Sequence, residues 1–386
     1  MRIIVSLTSY PPRINSVHKV IESLYRQTVP ADEIVLYLSL DEFPETKKDL
    51  PETLRSLDGR GGFRIAWVPG NLKSHKKYYY ALQEYRDAVV ITIDDDKRYA
   101  ETMIEDLLRS HERFPDAVSA RTARIMLKGP EGMEPYGRWE NGKYLEEYRD
   151  VPRMDLCAIG VGGICYPPFS AKEEWFREEI IKWKAGEHDD LWLKYNEIVS
   201  NIPVVYTKPS GEDITIENTQ ICSLAANNLY GSGNDECIRR LLALLRGQDA
   251  GCYQKWFRSL MTWEAYLTAK KKYYAEAFRR VFDQAGNMPV YFYGAGIIAH
   301  RLSMVLADLG LLQRITAVIV SDQAKNPASL QGLPVRALSE LEADRQFAVI
   351  LGVNEAHKKE IRKRLAAYAC QEMELDMRII ARYYQC

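Results

Sequence analysis

Apolar positions in the first half of the chain alternate between short runs and helical stripes. Ile3, Ile4, Val5 and Leu7 lie in the run Arg2–Thr8, which is rich in β-branched residues and reads as a strand. From Ile14, apolar side chains recur at Val17, Val20, Ile21, Leu24 and Tyr25, one face of a helix. Glu33–Ser39 and Phe63–Val68 read as further strands, and His75–Tyr85 as a helix. Ala88–Ile93 is a wholly apolar strand that stops abruptly at Asp94, Asp95 and Asp96. Met103, Ile104, Leu107, Leu108 and His111 then return to helical spacing. This alternation predicts an α/β fold, with a mostly parallel sheet and helices on both faces. Ligands of such sheets bind beyond the carboxyl ends of the strands, where the three aspartates stand.

Residues 128–150 break the pattern with Gly, Pro, Glu and Tyr and read as a long binding loop or lid. An apolar stretch, Met154–Pro168, holds Gly160, Val161, Gly162 and Gly163. A helix containing Trp192 and Leu193 and a strand, Ile202–Tyr206, follow. Residues 236–283 are helical and full of Arg, Lys, Trp and Tyr. New strands are expected at Val290–Tyr293, Ile315–Val320 and Ala348–Val353. The expected organisation is a larger α/β domain over residues 1–230, a helical connector over 231–285 and a smaller α/β domain over 286–386.

A length of 386 residues suits two domains, and 46% hydrophobic with 27% charged residues supports folded cores. A net charge of -1 gives no reason to expect a nucleic-acid partner. The N-terminal apolar run is short and ends at Thr8, Ser9 and two prolines, unlike a signal peptide. No segment approaches the about 18 apolar residues of a membrane span. The chain is therefore expected in the cytoplasm, with a membrane reached only at its inner surface. Residues 254–281 mix basic and aromatic side chains in a way that suits an anionic surface or a lipid-linked acceptor, though packing between domains is the commoner use. Seven cysteines without a CxxC pair, and six scattered histidines, show no zinc spacing and imply reduced structural thiols.

Asp94, Asp95 and Asp96 repel one another at the end of a buried strand unless a cation or several donors hold them. Mg²⁺ or Mn²⁺ suits the position, bound by one or two carboxylates and sharing its other sites with phosphate oxygens and water. A solvated acidic turn capping the next helix is the plainer alternative.

The ordered segments IVSLTSYPPR, EIVLYLSLDEFP, NLKSHKKYYYAL, VVITIDDDKRY and HDDLWLKY resemble the family-2-type glycosyltransferases of bacterial polysaccharide synthesis, over roughly residues 2–230. The resemblance implies a GT-A fold with a nucleotide sugar at the carboxyl ends of the first strands. It implies DxD-like contacts from Asp94 and Asp96 to the ribose and to a diphosphate-bound metal, and Asp95 can replace either. Thr8, Ser9 and Tyr10 match the nucleobase site. Asp41 matches a base-reading aspartate, although the usual Asp-Gly-Ser form is absent. Lys76 and Lys77 are candidates to neutralise the diphosphate, unless they merely begin a solvated helix. The pair Asp189 and Asp190 matches the family's acidic pair, whose second member is the catalytic base. Asp190 is the expected base and Asp189 the alternative, while simple charge placement at a helix start explains the pair equally simply. His188 is a candidate for orienting the acceptor. Asn227, Asn228, Gly231, Gly233, Asn234 and Asp235 either reach over the acceptor or, as is favoured, form a turn in which Asn234 or Asp235 caps a helix from Glu236.

In the last domain Gly294, Ala295 and Gly296 open a GxGxxA pattern between a strand and a helix, with Asp322 ending the next strand. This context fits a dinucleotide fingerprint and a small Rossmann-like domain, but no catalytic set accompanies it, and a structural role is favoured. The expected reaction is inverting transfer of a sugar from a nucleotide donor, UDP-linked, to a hydroxyl of a glycan or lipid-linked glycan. An NAD(P)-dependent oxidoreductase centred on Gly294 leaves the N-terminal series unexplained. A non-catalytic scaffold binding nucleotide or carbohydrate differs from an enzyme by lacking turnover.

Overall fold

The computed structural model describes residues 1–142, 146–217, 219, 233–375 and 383. The chain divides into two compact units, Met1–Tyr266 and Leu267–Cys386. The α/β class expected from the strand and helix alternation is the class observed.

The first unit is built on an eight-stranded sheet. Its first four strands in sequence are β1 (Ile3–Thr8), β2 (Glu33–Ser39), β3 (Phe63–Val68) and β4 (Val89–Thr92). Across the sheet the order is Pro152–Arg153, Val204–Tyr206, Val118–Ala120, Ile164–Tyr166, β4, β1, β2, β3. β1 runs parallel to both β2 and β4, with Ser6 beside Val35 on one side and Thr92 on the other. The chain therefore leaves β1 toward β2 in one direction and reaches β4 in the other. Such a reversal is where open α/β sheets take ligands, in the crevice beyond the carboxyl ends of the strands, here those of β1 and β4.

These strands read as nearly continuous apolar runs because both faces are buried. Val5 and Leu7 of β1 and Ile91 of β4 share one core with Val20, Ile21 and Leu24 of the helix Val17–Leu24 and with Met103, Ile104 and Leu107 of the helix Met103–Arg113.

Ile164–Tyr166 departs from the parallel arrangement by running antiparallel to both β4 and Val118–Ala120. Gly163, at φ +87°, turns the chain into it; a Cβ there would stand 3.3 Å from Leu107 Cδ1 and from Met103 Sδ. Residues 127–141 are also more ordered than a structureless loop. Leu127–Gly129 pairs antiparallel with Gly132–Met133 and parallel with Met261–Thr262. Ala123–Ile125 is flanked antiparallel by Glu140–Asn141 and Leu156–Ala158. Strands of two or three residues carry too few positions for a visible period, so composition alone suggested a loop. The expected helix His75–Tyr85 is two short helical turns, Lys76–Tyr79 and Ala81–Glu84.

The helices Gly233–Gln248 and Ala250–Ser259 belong to the first unit, and Trp263–Gln284 begins there. Trp256, Tyr266, Tyr274, Phe278 and Phe282 are buried, so these aromatics of the basic segment are spent on packing. No helix among the described residues is long and apolar enough to cross a membrane.

The second unit has a six-stranded sheet in the order Ser329–Leu330, Leu333–Ala337, Ala317–Val320, Val290–Tyr293, Phe347–Leu351, Cys370–Glu372. All of its pairings are parallel except the hairpin at Ser329–Leu330. Phe292, Val318 and Ile350 pack with Leu302, Val305 and Leu306 of the helix Ile297–Asp308.

Candidate active site

The crevice floor is a knot between the ends of β1 and β4. Ser9 Oγ donates to Asp95 Oδ2 at 2.6 Å, and Arg13 Nη1 donates to Asp95 Oδ1 at 2.7 Å. Arg13 also stands 3.4 Å from Asp96 Oδ2, and its guanidinium lies 5.7 Å from the Tyr10 ring centre. Burial pushes the Asp95 carboxyl up, while Arg13 and Ser9 pull it back. Asp95 is thus a structural tie, with an oxygen committed to each neighbour. The turn beyond it is held by Tyr99, whose hydroxyl accepts from Asp94 N at 2.9 Å, and by Ile216 N donating to Asp96 O at 2.9 Å. Arg13 closes the segment IVSLTSYPPR, and the sequence pattern gave it no role.

The wall is organised by Lys77. Its Nζ stands 2.6 Å from Asp94 Oδ1 and 2.9 Å from Asp189 Oδ2, with only 6% of the side chain exposed. Ser6 of β1 donates to the Lys77 carbonyl, fixing the turn against the sheet. Asp189 opens the helix Asp189–Ser200, where a carboxylate is favoured by the unpaired amides of the first turn. The amide of Gly160 donates to Asp190 Oδ1 at 3.1 Å. A Cβ on Gly160 would lie 3.1 Å from Asp94 Oδ1, 3.1 Å from Lys77 Nζ and 3.5 Å from Asp190 Oδ1. Three charged side chains therefore converge on one glycine. Sequence reading placed three of the relevant segments but gave Gly160 no role.

This arrangement separates two adjacent carboxylates. Burial opposes charge on Asp189, but Lys77 outweighs it and holds Asp189 below the ordinary carboxylate range. Burial and then the charge of Asp189 push Asp190 well above that range, with Lys77 offsetting part of the rise. One member is a fixed anion paired with Lys77, and the other is a strengthened proton acceptor. His75 supports the geometry: its Nδ1 meets Tyr78 Oη at 3.0 Å and its Nε2 meets Gly186 O at 3.1 Å. Burial holds its imidazole down to about 4, so it is neutral there, donating to Gly186 and accepting from Tyr78. Ser74 Oγ donates to Glu187 O at 2.9 Å, a second pin on the approach to Asp189.

The remaining sequence candidates divide. Lys76 is buried against Glu42 Oε2 at 2.8 Å and Asn71 Oδ1 at 3.0 Å, so it is committed to those partners. Thr8 Oγ1 donates to Tyr37 O at 2.8 Å, across to β2. Asp41 is exposed just beyond β2, its amide donating to Ser39 Oγ at 3.1 Å. His188 is half-buried; burial lowers it, against Asp189 and a hydrogen bond to Asn234. The helix expected from Glu236 begins at Gly233, so Asn234 and Asp235 lie inside its first turn. Asp235 Oδ1 accepts from Tyr136 N at 2.7 Å instead of capping. Asn227, Asn228 and Gly231, like Cys222 and Cys386, lie outside the described residues. Cys157, Cys165, Cys237, Cys252 and Cys370 are free thiols, and burial pushes Cys165 and Cys237 up to about 12.

The donor chemistry at the end of β4 fits a hard divalent cation. Asp94 and Asp96 offer oxygen donors, and Asp94 is the more open, with 30% of its side chain exposed. Among the described residues no three ligating side chains form a cage. Two carboxylates with substrate phosphates and water completing the shell are the usual arrangement for Mg²⁺.

In the second unit Gly294 has φ +101°, and a Cβ there would stand 2.7 Å from Val353 Cγ1. Packing thus accounts for this glycine. Gly296 precedes the helix Ile297–Asp308 with open space around it. The Asp322 side chain accepts from Ala324 N at 3.1 Å and pairs with Lys325 at 3.0 Å, in an exposed turn.

No family model matches this chain, and no curated protein matches it. Among solved structures it is similar to S. aureus TarS 1-349 in complex with UDP, at 12% identity over 81% of this chain and 89% of that one, TM-score 0.34. It is similar to glucosyl-3-phosphoglycerate synthase from Mycobacterium tuberculosis with Mn²⁺, UDP and phosphoglyceric acid, at 17% identity over 31% and 42%, TM-score 0.24. It is also similar to 4-diphosphocytidyl-2C-methyl-D-erythritol synthase from Anaerococcus prevotii DSM 20548, at 13% identity over 59% and 98%, TM-score 0.34.

Proposed function

We propose that this protein is a metal-dependent GT-A glycosyltransferase that moves a hexosyl group from a nucleotide-diphosphate sugar to a glycan hydroxyl in polysaccharide synthesis. The carrying observation is the single ammonium of Lys77, which touches both Asp94 of the donor side and Asp189 of the acidic pair. Two carboxylate groups from distant parts of the chain share one crevice at the reversal of strand order, where a donor and an acceptor would meet.

The donor's base would lie against Tyr10 and Asp41 and its diphosphate beside Asp94 and Asp96. A divalent cation held by Asp94 and Asp96 would neutralise the diphosphate. Lys77 adds positive charge on the same side and keeps Asp189 ionised. The Gly160 amide holds Asp190 Oδ1, leaving Oδ2 to take the acceptor's proton. The acceptor oxygen bonds to the anomeric carbon, the bond from that carbon to the diphosphate oxygen breaks, and the nucleotide diphosphate leaves with the electron pair. Inversion follows from the family resemblance. Every residue in this scheme lies in the unit Met1–Tyr266, and the Gly294 turn takes no part.

A thermal-shift and calorimetric series with UDP, other nucleoside diphosphates and their sugars, with and without Mn²⁺, tests the reading. Binding to the folded state raises the midpoint by mass action. A nucleotide-dependent rise that needs the cation and is lost in Asp94→Ala is expected. A flat response across the whole series would reject the proposal.

A further inference from the structure

The segment between the sheet and the acidic pair carries a cation that the scheme above does not use. Arg124 lies in the central strand of the three-stranded sheet formed by Glu140–Asn141, Ala123–Ile125 and Leu156–Ala158. It is directly opposite Cys157, and residues opposite one another in antiparallel strands point to the same face. Cys157 on that face lies against the start of the helix Asp189–Ser200, its Sγ 3.9 Å from Asp190 O. Leu156–Ala158 runs on to Gly160, whose amide holds Asp190. The Arg124 side chain therefore shares the face of this small sheet that abuts the proposed base.

Its partners set Arg124 apart. Arg13, Arg64, Arg121 and Arg153 are sheltered, and each meets a carboxylate: Asp95, Glu33, Asp213 and Asp155 respectively. Arg124 is half-buried and meets no carboxylate among the described residues. Its Nη1 donates to Trp139 O at 2.8 Å, and its guanidinium lies 4.8 Å from the Tyr136 ring centre. Tyr136 is itself fixed by Asp235 at its amide. Burial raises the Tyr136 hydroxyl above its usual range; Arg124 offsets part of this, and Cys157 and Asp190 add to it. The ring thus belongs to the surroundings of Asp190. A guanidinium oriented by a carbonyl and an aromatic face, with donors left over and no counter-charge among the described residues, is a ready partner for a planar or tetrahedral oxyanion.

We propose that Arg124 and Tyr136 form the acceptor subsite and that the acceptor glycan carries a negative charge there, a phosphate or a carboxylate, while its reacting hydroxyl meets Asp190. This rests on the glycosyltransferase reading but is separable from it by experiment. Disaccharides of gluco, galacto and N-acetylglucosamine configuration, each neutral, as a phosphate monoester and as a uronate, are titrated calorimetrically into the full chain with UDP and Mn²⁺ present. At least one charged form should bind about tenfold or more tighter than its neutral parent, as expected for charge-assisted hydrogen bonds. The phosphate and uronate arms identify which anion is taken. Arg124→Met should abolish that preference with the UDP affinity within twofold of the parent, and Arg124→Lys should keep part of it. Inorganic phosphate should compete with the charged saccharide on the unaltered protein, which serves as the test if the Met variant does not fold. Equal binding of charged and neutral forms, or a preference that survives Arg124→Met, overturns the subsite. Failure of UDP to bind at all sinks the donor reading instead, and the charged and neutral titrations still decide the subsite.

Discussion

Lys77 Nζ lies 2.9 Å from Asp189 Oδ2, joining the helical turn after β3 to the start of a helix far along the chain. The same ammonium reaches Asp94 at 2.6 Å. Removing it would leave two sheltered carboxylates without their counter-charge, and breaking a buried ion pair costs about 3–5 kcal/mol. Lys77→Met should lower the urea-denaturation free energy by that order. Adding Asp189→Asn should restore part of the loss, giving a coupling above about 1 kcal/mol in the double-mutant cycle. Additive losses would show that Lys77 and Asp189 are neighbours without being energetic partners.

Asp190→Asn keeps the size and most hydrogen bonding of the side chain but cannot accept a proton. The kcat for transfer should fall about 10²–10⁴-fold, the range for losing a general base, while UDP affinity holds. The loss belongs in kcat because the missing interaction forms in the transition state. Asp189→Asn is the comparison: a larger effect there would exchange the two roles, and no tenfold loss in either would move the base elsewhere.

Gly160 leaves room that a methyl group would fill. An alanine Cβ would sit 3.1 Å from both Asp94 Oδ1 and Lys77 Nζ. Overpacking costs about 1–3 kcal/mol, and small displacements of reacting groups can cost about 10²-fold in rate. Gly160→Ala should therefore reduce kcat by tenfold or more while the fold survives, read from steady-state kinetics beside a denaturation curve. Parent-like kinetics would mean that the cluster tolerates displacement and is not the reacting centre.

His75 predicts acid sensitivity. Its folded value is about 4 against an ordinary 6.5, so the unfolded chain binds more protons between those limits. Stability is complete above about pH 6.5 and is lost as pH falls toward 4. Between pH 6.5 and 5 the loss from this one group is about 2 kcal/mol. His75→Phe lacks the titrating group, so its stability difference between pH 7 and pH 5 should be smaller than the parent's by that order. It should also be less stable at pH 7, because Tyr78 Oη and Gly186 O lose their partner. An unchanged pH difference would assign the acid sensitivity to other groups.

Much of the architecture was legible as hydrophobic pattern. Glu33–Ser39 and Phe63–Val68 are strands with the bounds the apolar runs suggested, and Asp94 follows the strand as expected. The helix read around Trp192 and Leu193 begins at Asp189. What escaped was short or non-local. The antiparallel strand Ile164–Tyr166 and the two-residue strands around residues 132 and 140 hold too few positions to show a period.

The sequence by itself determined the runs that must be buried and the acidic clusters that cannot be left alone, because burial and like-charge repulsion are properties of neighbouring residues. Tertiary structure alone decided which charges compensate which. Lys76 and Lys77 are adjacent and chemically identical, yet one is committed to Glu42 and Asn71 and the other joins Asp94 to Asp189. Asp94 and Asp95 likewise part, one toward Lys77 and the other into the knot with Ser9 and Arg13. The reason is directional: successive side chains leave the backbone on different bearings, and each partner arrives from a segment whose position is set by the whole sheet.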